Sequence, residues 1–143
     1  MKVKTLLFFF LAVFTLTIAN AQKVKIKKGI VSVDGKETFT TDKKGLSNSY
    51  SLFTLDGEKE IIFVNWNSNE TVGYGEDDFV QVTFLDDNLK IESATSLKIS
   101  AKNLFQLLIK DKVINLDGTV NPDKLDRFFT KYDENITDRT TRF

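Results

Sequence analysis

The chain has 143 residues, of which 20 are Lys or Arg and 20 are Asp or Glu, and it contains neither Cys nor His. Without these two side chains the sequence excludes disulfide bonds, thiol nucleophiles, Ser-His-Asp triads and ordinary zinc or copper sites, so we predict no metal, no cofactor and no catalytic residues. The balanced charge lacks the basic surplus that is typical of nucleic-acid-binding proteins, and we expect no nucleic acid among the partners.

Residues 1–21 have the pattern of a secretory signal peptide. Two lysines, an apolar run from Leu6 to Ile18 and the small-x-small cleavage site Ala19-Asn20-Ala21 follow one another in that order. The apolar run is shorter than the roughly 20 residues that a membrane-spanning helix needs. We therefore expect export to the periplasm or the extracellular space.

Cleavage of this leader would release a single soluble domain, residues 22–143, which we expect not to insert into a membrane. No Cys follows the cleavage site to carry a lipid anchor. Because disulfide bonds are excluded as well, a hydrophobic core must stabilise the domain.

Seven short segments after the leader have the composition of antiparallel strands. Apolar and β-branched residues alternate with polar ones, and turn-forming pairs separate the segments. Asp34-Gly35 and Asp56-Gly57 are the clearest turns, and at the first of them Gly tolerates the positive φ of a type I′ turn. The segments are Val24–Lys27, Ile30–Val33, Glu37–Thr41, Tyr50–Leu55, Lys59–Trp66, Phe79–Leu85 and Leu89–Ala94. We predict a β-meander of about six to seven strands, in which the apolar run Ile61–Val64 marks a central strand covered on both faces.

Towards the C-terminus the apolar period changes from 2 to 3.6, which predicts two amphipathic helices. Ser100 is a suitable N-cap for the first, Asn121 for the second, and Pro122 and Asp123 fit the first turn of the second helix. The apolar faces that we expect to pack on the sheet contain Leu104, Leu108, Leu125, Phe128 and Phe129. The predicted fold is therefore α+β, an antiparallel β-meander with two C-terminal amphipathic helices packed on it, and the polar tail beyond Asp133 is expected to fray.

The longest irregular segment, Asn65 to Asp78, contains the best binding candidates. Trp66 and Tyr74 are aromatic, and Asn67 and Asn69 supply hydrogen-bonding groups. Because exposed aromatic rings with polar neighbours can stack on sugars or peptides, we predict that these four residues contact a ligand or a partner. The alternative for Trp66 is a place in the core, because it ends an apolar strand.

Two acidic pairs and one loop suggest other chemistry. Asp77-Asp78 and Asp86-Asp87 supply the carboxylates that a glycoside hydrolase needs, but adjacent acids on a strand point to opposite faces. The loop Asn115–Asn121 resembles half of a calcium-binding EF-hand. Aligning its glycine with the invariant EF-hand glycine places Val113 and Lys124 where carboxylates are required. We therefore predict solvated acids and a simple helix–helix turn.

Three segments carry a resemblance to a known group of proteins. The leader ends with Ala19-Asn20-Ala21-Gln22, and the domain begins with Gly29-Ile-Val-Ser-Val-Asp34-Gly35-Lys36. Near the end, Asp117-Gly118-Thr-Val-Asn121-Pro-Asp123 leads into a helix that contains Phe128-Phe129. In these segments the chain resembles small exported proteins of Bacteroidetes. The resemblance implies an exported compartment and brings no catalytic residues.

Three functions are consistent with the sequence. We favour an exported, non-enzymatic envelope or secreted module that binds a macromolecular partner, an envelope protein or a glycan, through the loop between Trp66 and Tyr74. One alternative is a carrier of a small apolar ligand in a cavity between sheet and helices, which the nine Phe residues after the leader suggest. The other is a carboxylate-dependent hydrolase, for which the two acidic pairs are thin support.

Overall fold

The computed structural model of the chain describes residues 22–43, 48–68 and 76–140. Within these ranges seven strands form one antiparallel sheet, in which the order of the strands is their order in the chain. The strands are β1 (Val24–Lys27), β2 (Ile30–Val33), β3 (Lys36–Lys43), β4 (Tyr50–Thr54), β5 (Glu60–Asn67), β6 (Phe79–Phe84) and β7 (Leu89–Ser93). The predicted meander is confirmed. The predicted signal peptide, residues 1–21, lies outside the described residues.

The first two hairpins turn where Gly follows a residue that also has a positive φ. Lys28 and Gly29 have φ values of 50° and 80°, and Asp34 and Gly35 have values of 52° and 86°. Two successive residues with positive φ are the signature of a type I′ turn, whose twist matches that of the flanking strands. The turn predicted at Asp34-Gly35 is therefore confirmed.

One face of the sheet carries the apolar core. Leu52 lies opposite Ile62 on the neighbouring strand, and Ile62 lies opposite Phe84. All three side chains are completely buried. Phe63 alternates to the other face of β5 and is half-buried. The predicted central strand is thus covered more fully on one face than on the other.

Two helices pack on the apolar face of the sheet, as predicted. They are α1 (Ala101–Lys110) and α2 (Pro122–Tyr132). The side-chain oxygens of their N-caps, Ser100 and Asn121, accept backbone hydrogen bonds from Asn103 and Lys124 at 3.3 and 3.1 Å. The buried side chains of the helices join the buried strand residues in one cluster; they are Leu104, Phe105, Leu108, Ile109, Leu125 and Phe128. The fold is α+β.

The prediction that the tail frays beyond Asp133 is wrong for residues 134–140, and the last three residues lie outside the described ranges. A short helix, α3 (Ile136–Thr140), follows α2, and the segment between them lies along the edge of β7. The Asp133 carboxylate accepts a hydrogen bond from the Glu92 backbone N–H at 2.9 Å, and the Glu134 N–H donates to the Glu92 carbonyl at 2.7 Å. An edge strand presents unpaired backbone groups, and the polar tail satisfies them.

Glu92 links the tail to the outer face of the sheet. Its carboxylate, almost fully buried, accepts hydrogen bonds from the Thr137 backbone N–H at 2.7 Å, the Thr137 hydroxyl at 2.5 Å and the Gln81 side-chain amide at 2.7 Å. Burial raises the pKa of Glu92, but these hydrogen bonds, together with the charge of Lys90, outweigh burial and hold the pKa below its usual value. The folded protein therefore favours the ionised form of Glu92.

Acid is expected to weaken the fold through this contact. A carboxylate whose folded pKa is lowered stabilises the fold fully above its unfolded pKa of about 4.3, and this contribution is lost as the pH falls through the folded pKa. The melting temperature should therefore stay constant near neutral pH and decrease once the pH is lower than about 4.5. Glu92→Gln should be less stable at neutral pH and should lose less stability on acidification.

Thermal unfolding followed by circular dichroism at a series of pH values measures this dependence. Glu37→Gln is the matched control, because Glu37 is exposed on β3. The control should follow the wild-type curve. Parallel curves for the wild type and Glu92→Gln down to about pH 3 would contradict the assignment of the acid-sensitive contact to Glu92.

Candidate functional site

Trp66, the first predicted binding residue, lines a cleft at one end of the three middle strands of the sheet. Trp66 lies near the end of β5, is half-buried and packs against the core cluster, so it is both a core and a surface residue. The cleft has a volume of about 370 Å³ and is bounded by β3, β4, β5 and the start of α1. We call it the Tyr50 cleft; its lining residues are Lys43, Asn48, Tyr50, Trp66, Ile99, Ser100 and Ala101.

Tyr50 is the most unusual residue of this cleft. Only 8% of it is exposed, and its ring meets the edge of the Phe105 ring at a centroid distance of 5.7 Å. Its buried hydroxyl has no hydrogen-bond partner among the described residues. Burial raises the pKa of Tyr50, so the hydroxyl stays protonated and remains a hydrogen-bond donor.

An unpaired hydroxyl of this kind is costly. Leaving a buried polar group without a partner destabilises a protein by roughly 1–3 kcal/mol, and native structures contain few such groups. Packing alone does not require the oxygen, because Phe would fill nearly the same volume. The Tyr50 hydroxyl is therefore the polar group of the cleft lining that lacks a partner among the described residues.

The start of α1 adds further donors to the same cleft. The helix begins at Ala101 after the N-cap Ser100, and no acidic residue lies in its first turn. A helix N-terminus has backbone N–H groups without helical partners and carries a partial positive charge. Lys43, at the end of β3, brings an exposed ammonium group to the opposite wall. The described lining of the cleft thus combines an aromatic ring with several hydrogen-bond donors.

The structure describes two of the four predicted binding residues, and it separates these two. Trp66 and Asn67 are consecutive on β5, so their side chains point to opposite faces of the sheet. Asn67 lies opposite Phe79 in the register and does not line the Tyr50 cleft. Asn69 and Tyr74 lie outside the described residues.

Sequence reasoning missed the residues that surround Trp66 in the cleft. Tyr50 was expected only to form a strand, and Ser100 only to cap a helix, whereas both line the cleft. One signal could have pointed to Tyr50. A Tyr at an inward strand position buries a hydroxyl that needs a partner, and the neighbouring sequence does not identify one.

The two acidic pairs do not form one catalytic site. Asp77-Asp78 precedes β6 and Asp86-Asp87 follows it, and a strand of 6 residues spans about 20 Å. Glycoside hydrolases hold their two carboxyl groups about 5–9.5 Å apart. Asp86 also forms a salt bridge with Lys59 at 2.5 Å. Asp78 is half-buried, and one of its carboxylate oxygens has no hydrogen-bond partner among the described residues, but this is a single acid.

The loop that resembles half of an EF-hand is closed by its own hydrogen bonds. The Asp117 carboxylate accepts from the Thr119 backbone N–H and hydroxyl at 2.9 and 2.6 Å, and the Asn115 amide donates to the same hydroxyl at 2.9 Å. A bridge between Ile114 and Val120 joins the two sides of the loop. The predicted helix–helix turn is confirmed.

A larger groove lies at the other end of β3 and β4. It has a volume of about 620 Å³ and includes the exposed side chains of Leu55 and Leu116. Two of its three acids already accept hydrogen bonds. Thr119 donates to Asp117, and Thr54 and the Glu58 N–H donate to Asp56 and lower the pKa of that carboxyl group. The Tyr50 cleft is smaller, but its lining contains a buried polar group that has no partner in the described part of the chain, so it is the better candidate site.

Comparisons with other proteins do not assign this site. Within the described residues, no helix is both long enough and apolar enough to cross a bilayer. The same part of the chain contains no group of three or more Asp and Glu residues that could hold a metal ion. No family model, no curated protein and no solved structure matches the chain, so its function must be argued from its own residues.

Proposed function

We propose that this chain is an exported, non-enzymatic module of the cell envelope or the secreted fraction, and that it binds a glycan in the Tyr50 cleft. The observation that carries the proposal is the buried hydroxyl of Tyr50, which has no partner among the described residues and lies in a cleft beside Trp66. Native proteins retain unpaired buried groups mainly where a ligand, an ion or a reaction uses them.

The chemistry of the lining favours a sugar. A sugar ring has an apolar C–H face that can lie against an aromatic ring, and hydroxyl oxygens around its edge that accept hydrogen bonds. Trp66 offers the aromatic surface, and Tyr50 and the first turn of α1 offer donors. The volume of about 370 Å³ lies near the lower end of the usual range for ligand sites, about 300–1,000 Å³, which suits a short segment of a glycan.

The compartment is inferred from the leader. Residues 1–21 have the charge, apolar run and small-x-small ending of a secretory signal peptide. The resemblance to small exported proteins of Bacteroidetes supports the same compartment. A glycan ligand is common in that environment, since cell envelopes are rich in polysaccharides.

A carrier of an apolar ligand has less support. Such a ligand would need space between the sheet and the helices. At this interface the side chains of Leu52, Val64, Leu104, Phe105 and Leu108 are completely buried and form one cluster. The Tyr50 cleft lies at the edge of this packed interface and has donors in its lining, which suits a polar ligand better.

The proposal predicts opposite effects of Tyr50→Phe on stability and on binding. Removal of an unpaired buried hydroxyl should raise the free energy of unfolding by about 1–3 kcal/mol, the cost of leaving it without a partner. The same change should weaken glycan binding about tenfold, because the ligand loses the hydrogen bond that the Tyr50 hydroxyl donates. Trp66→Ala should weaken binding at least as much.

An array of immobilised oligosaccharides from bacterial envelopes, followed by calorimetry with the best ligand, measures these effects. Tyr132→Phe is the matched control, since Tyr132 lies on α2 and does not line the cleft. Capture of an envelope protein instead of a glycan, or retention of full affinity by both Tyr50→Phe and Trp66→Ala, would refute the proposal.

A further inference from the structure

Five cationic side chains line a groove between the end of α1 and the exposed side of α2. We call it the basic groove; its volume is about 370 Å³, its cations are Lys110, Lys112, Lys124, Arg127 and Lys131, and its acid is Asp111. It lies at the opposite end of α1 from the Tyr50 cleft. Because α1 has 10 residues, the two sites are about 15 Å apart along the helix.

The cations of α2 are sorted onto one flank of the helix. Lys124, Arg127 and Lys131 recur at spacings of three and four residues, so their side chains share one side. The two acids of the same helix, Asp123 and Asp126, do not line the groove. The positive flank is thus a local arrangement, since the chain as a whole has equal numbers of basic and acidic residues.

The positive charge of the basic groove is larger than the partial negative charges at the helix ends can balance. The C-terminus of a helix carries a partial charge of about −0.5, so the ends of α1 and α2 together offset about one cation. Asp111 offsets one more. About three positive charges are left over, and none of the five cations forms a salt bridge within the part of the chain that the structure describes.

We propose that the basic groove binds an acidic polysaccharide, a polymer that repeats a carboxylate group along its chain. The cations on α2 follow one another at about one helical turn, or about 5.4 Å of rise, which is comparable to the length of a sugar residue. A polymer with one carboxylate on each residue therefore presents its charges at a matching interval. This site is separate from the Tyr50 cleft and does not depend on it.

Two other polyanions fit the groove less well. The flat surface of an anionic bilayer cannot enter a concave groove. A single-stranded nucleic acid binds by stacking bases on aromatic rings. In the groove the Tyr132 ring already packs on the Phe128 ring, with their centroids 4.4 Å apart. The Lys131 ammonium group lies 4.8 Å from the centroid of the Tyr132 ring. A base would have to displace one of these contacts.

Calorimetric titration of the full chain with polygalacturonate tests the proposal. Binding is expected at about 50 mM salt and should weaken about tenfold at about 200 mM, because exposed ion pairs are screened. Arg127→Gln/Lys131→Gln should weaken binding about tenfold, since it removes two charge-assisted contacts. The control variant is Lys25→Gln/Lys27→Gln, which replaces two exposed lysines of β1 and changes the net charge by the same amount. Its affinity for polygalacturonate should stay within about twofold of the wild-type value.

Three results would overturn the proposal. The first is no binding of polygalacturonate at low salt, and the second is an equal loss of affinity in the groove variant and the β1 variant. The third is tighter binding of single-stranded DNA or phosphatidylglycerol vesicles than of polygalacturonate. Lys110→Gln/Lys112→Gln, on the opposite wall, provides a second groove variant if the first one unfolds. Tyr50→Phe should bind polygalacturonate with full affinity, so failure at the basic groove is distinguishable from failure at the Tyr50 cleft.

Discussion

Phe128→Ala is expected to lower the free energy of unfolding by about 3–5 kcal/mol. Phe128 is 3% exposed, lies in the cluster that joins α2 to the sheet, and packs on Tyr132 one turn later with a centroid distance of 4.4 Å. The truncation removes a buried ring and leaves a cavity that close-packed neighbours fill only in part. For a domain of this size the melting temperature should fall by roughly 10–20 °C.

Phe129→Ala is the matched control for this change. Phe129 is the next residue on the same helix and is only half-buried, so its loss should cost clearly less than the loss of Phe128. Urea unfolding of both variants gives the two free energies on one scale. An unchanged melting temperature for Phe128→Ala would refute the packing of α2 on the sheet.

Gly118→Ala is expected to destabilise the fold by about 2–5 kcal/mol, through two separate effects. Gly118 has a φ of 86°, and a residue with a Cβ atom pays about 1–2 kcal/mol in this left-handed region. A Cβ atom at this position would also lie 2.9 Å from Thr54 Cγ2 and 3.4 Å from Ile61 Cδ1. Overpacking of this kind costs about 1–3 kcal/mol.

Thr54 cannot easily move away from that added atom. Its hydroxyl donates a hydrogen bond to the Asp56 carboxylate at 2.5 Å and accepts one from the Lys59 backbone N–H at 3.2 Å. These contacts hold the side-chain rotamer that places Cγ2 against Gly118. The loop between the helices is therefore docked on the β4–β5 hairpin at a position where only a hydrogen fits.

Gly57→Ala separates the two effects. Gly57 has a φ of 75°, but a Cβ atom there would have no heavy atom within 4 Å. This control should lose only the conformational part, about 1–2 kcal/mol. Equal losses in the two variants, measured by urea unfolding, would contradict a close contact between Gly118 and Thr54.

Much of the fold was predictable because its signals are local. Alternation in the strands, the positive φ of Asp34-Gly35 and the capping residues Ser100 and Asn121 all involve residues within a few positions of one another. Each of these interactions acts in the same way wherever the segment lies in the fold. The strand order was also accessible, because each strand pairs with the next one along the chain.

The tail and the site depended on contacts between distant residues. Thr137 donates to Glu92 across 45 positions, so the tail looked like a free polar end until the edge of β7 was placed beside it. Trp66 was identified from its own chemistry, but its neighbours in the cleft were not, because Tyr50 and Ser100 come from separate parts of the chain. The basic groove likewise unites cations from α1 and α2.

The local sequence pattern by itself determined the antiparallel meander and the two capped amphipathic helices. The composition by itself excluded chemistry that needs Cys or His. Packing decided which polar groups meet. The docking of α1 buries the Tyr50 hydroxyl near Trp66, where no described residue is its hydrogen-bond partner. The segment beyond α2 crosses β7 and buries Glu92 under Thr137. The physical reason is that burial and hydrogen-bond partners depend on distance in space, and local sequence patterns carry little information about residues that meet from far along the chain.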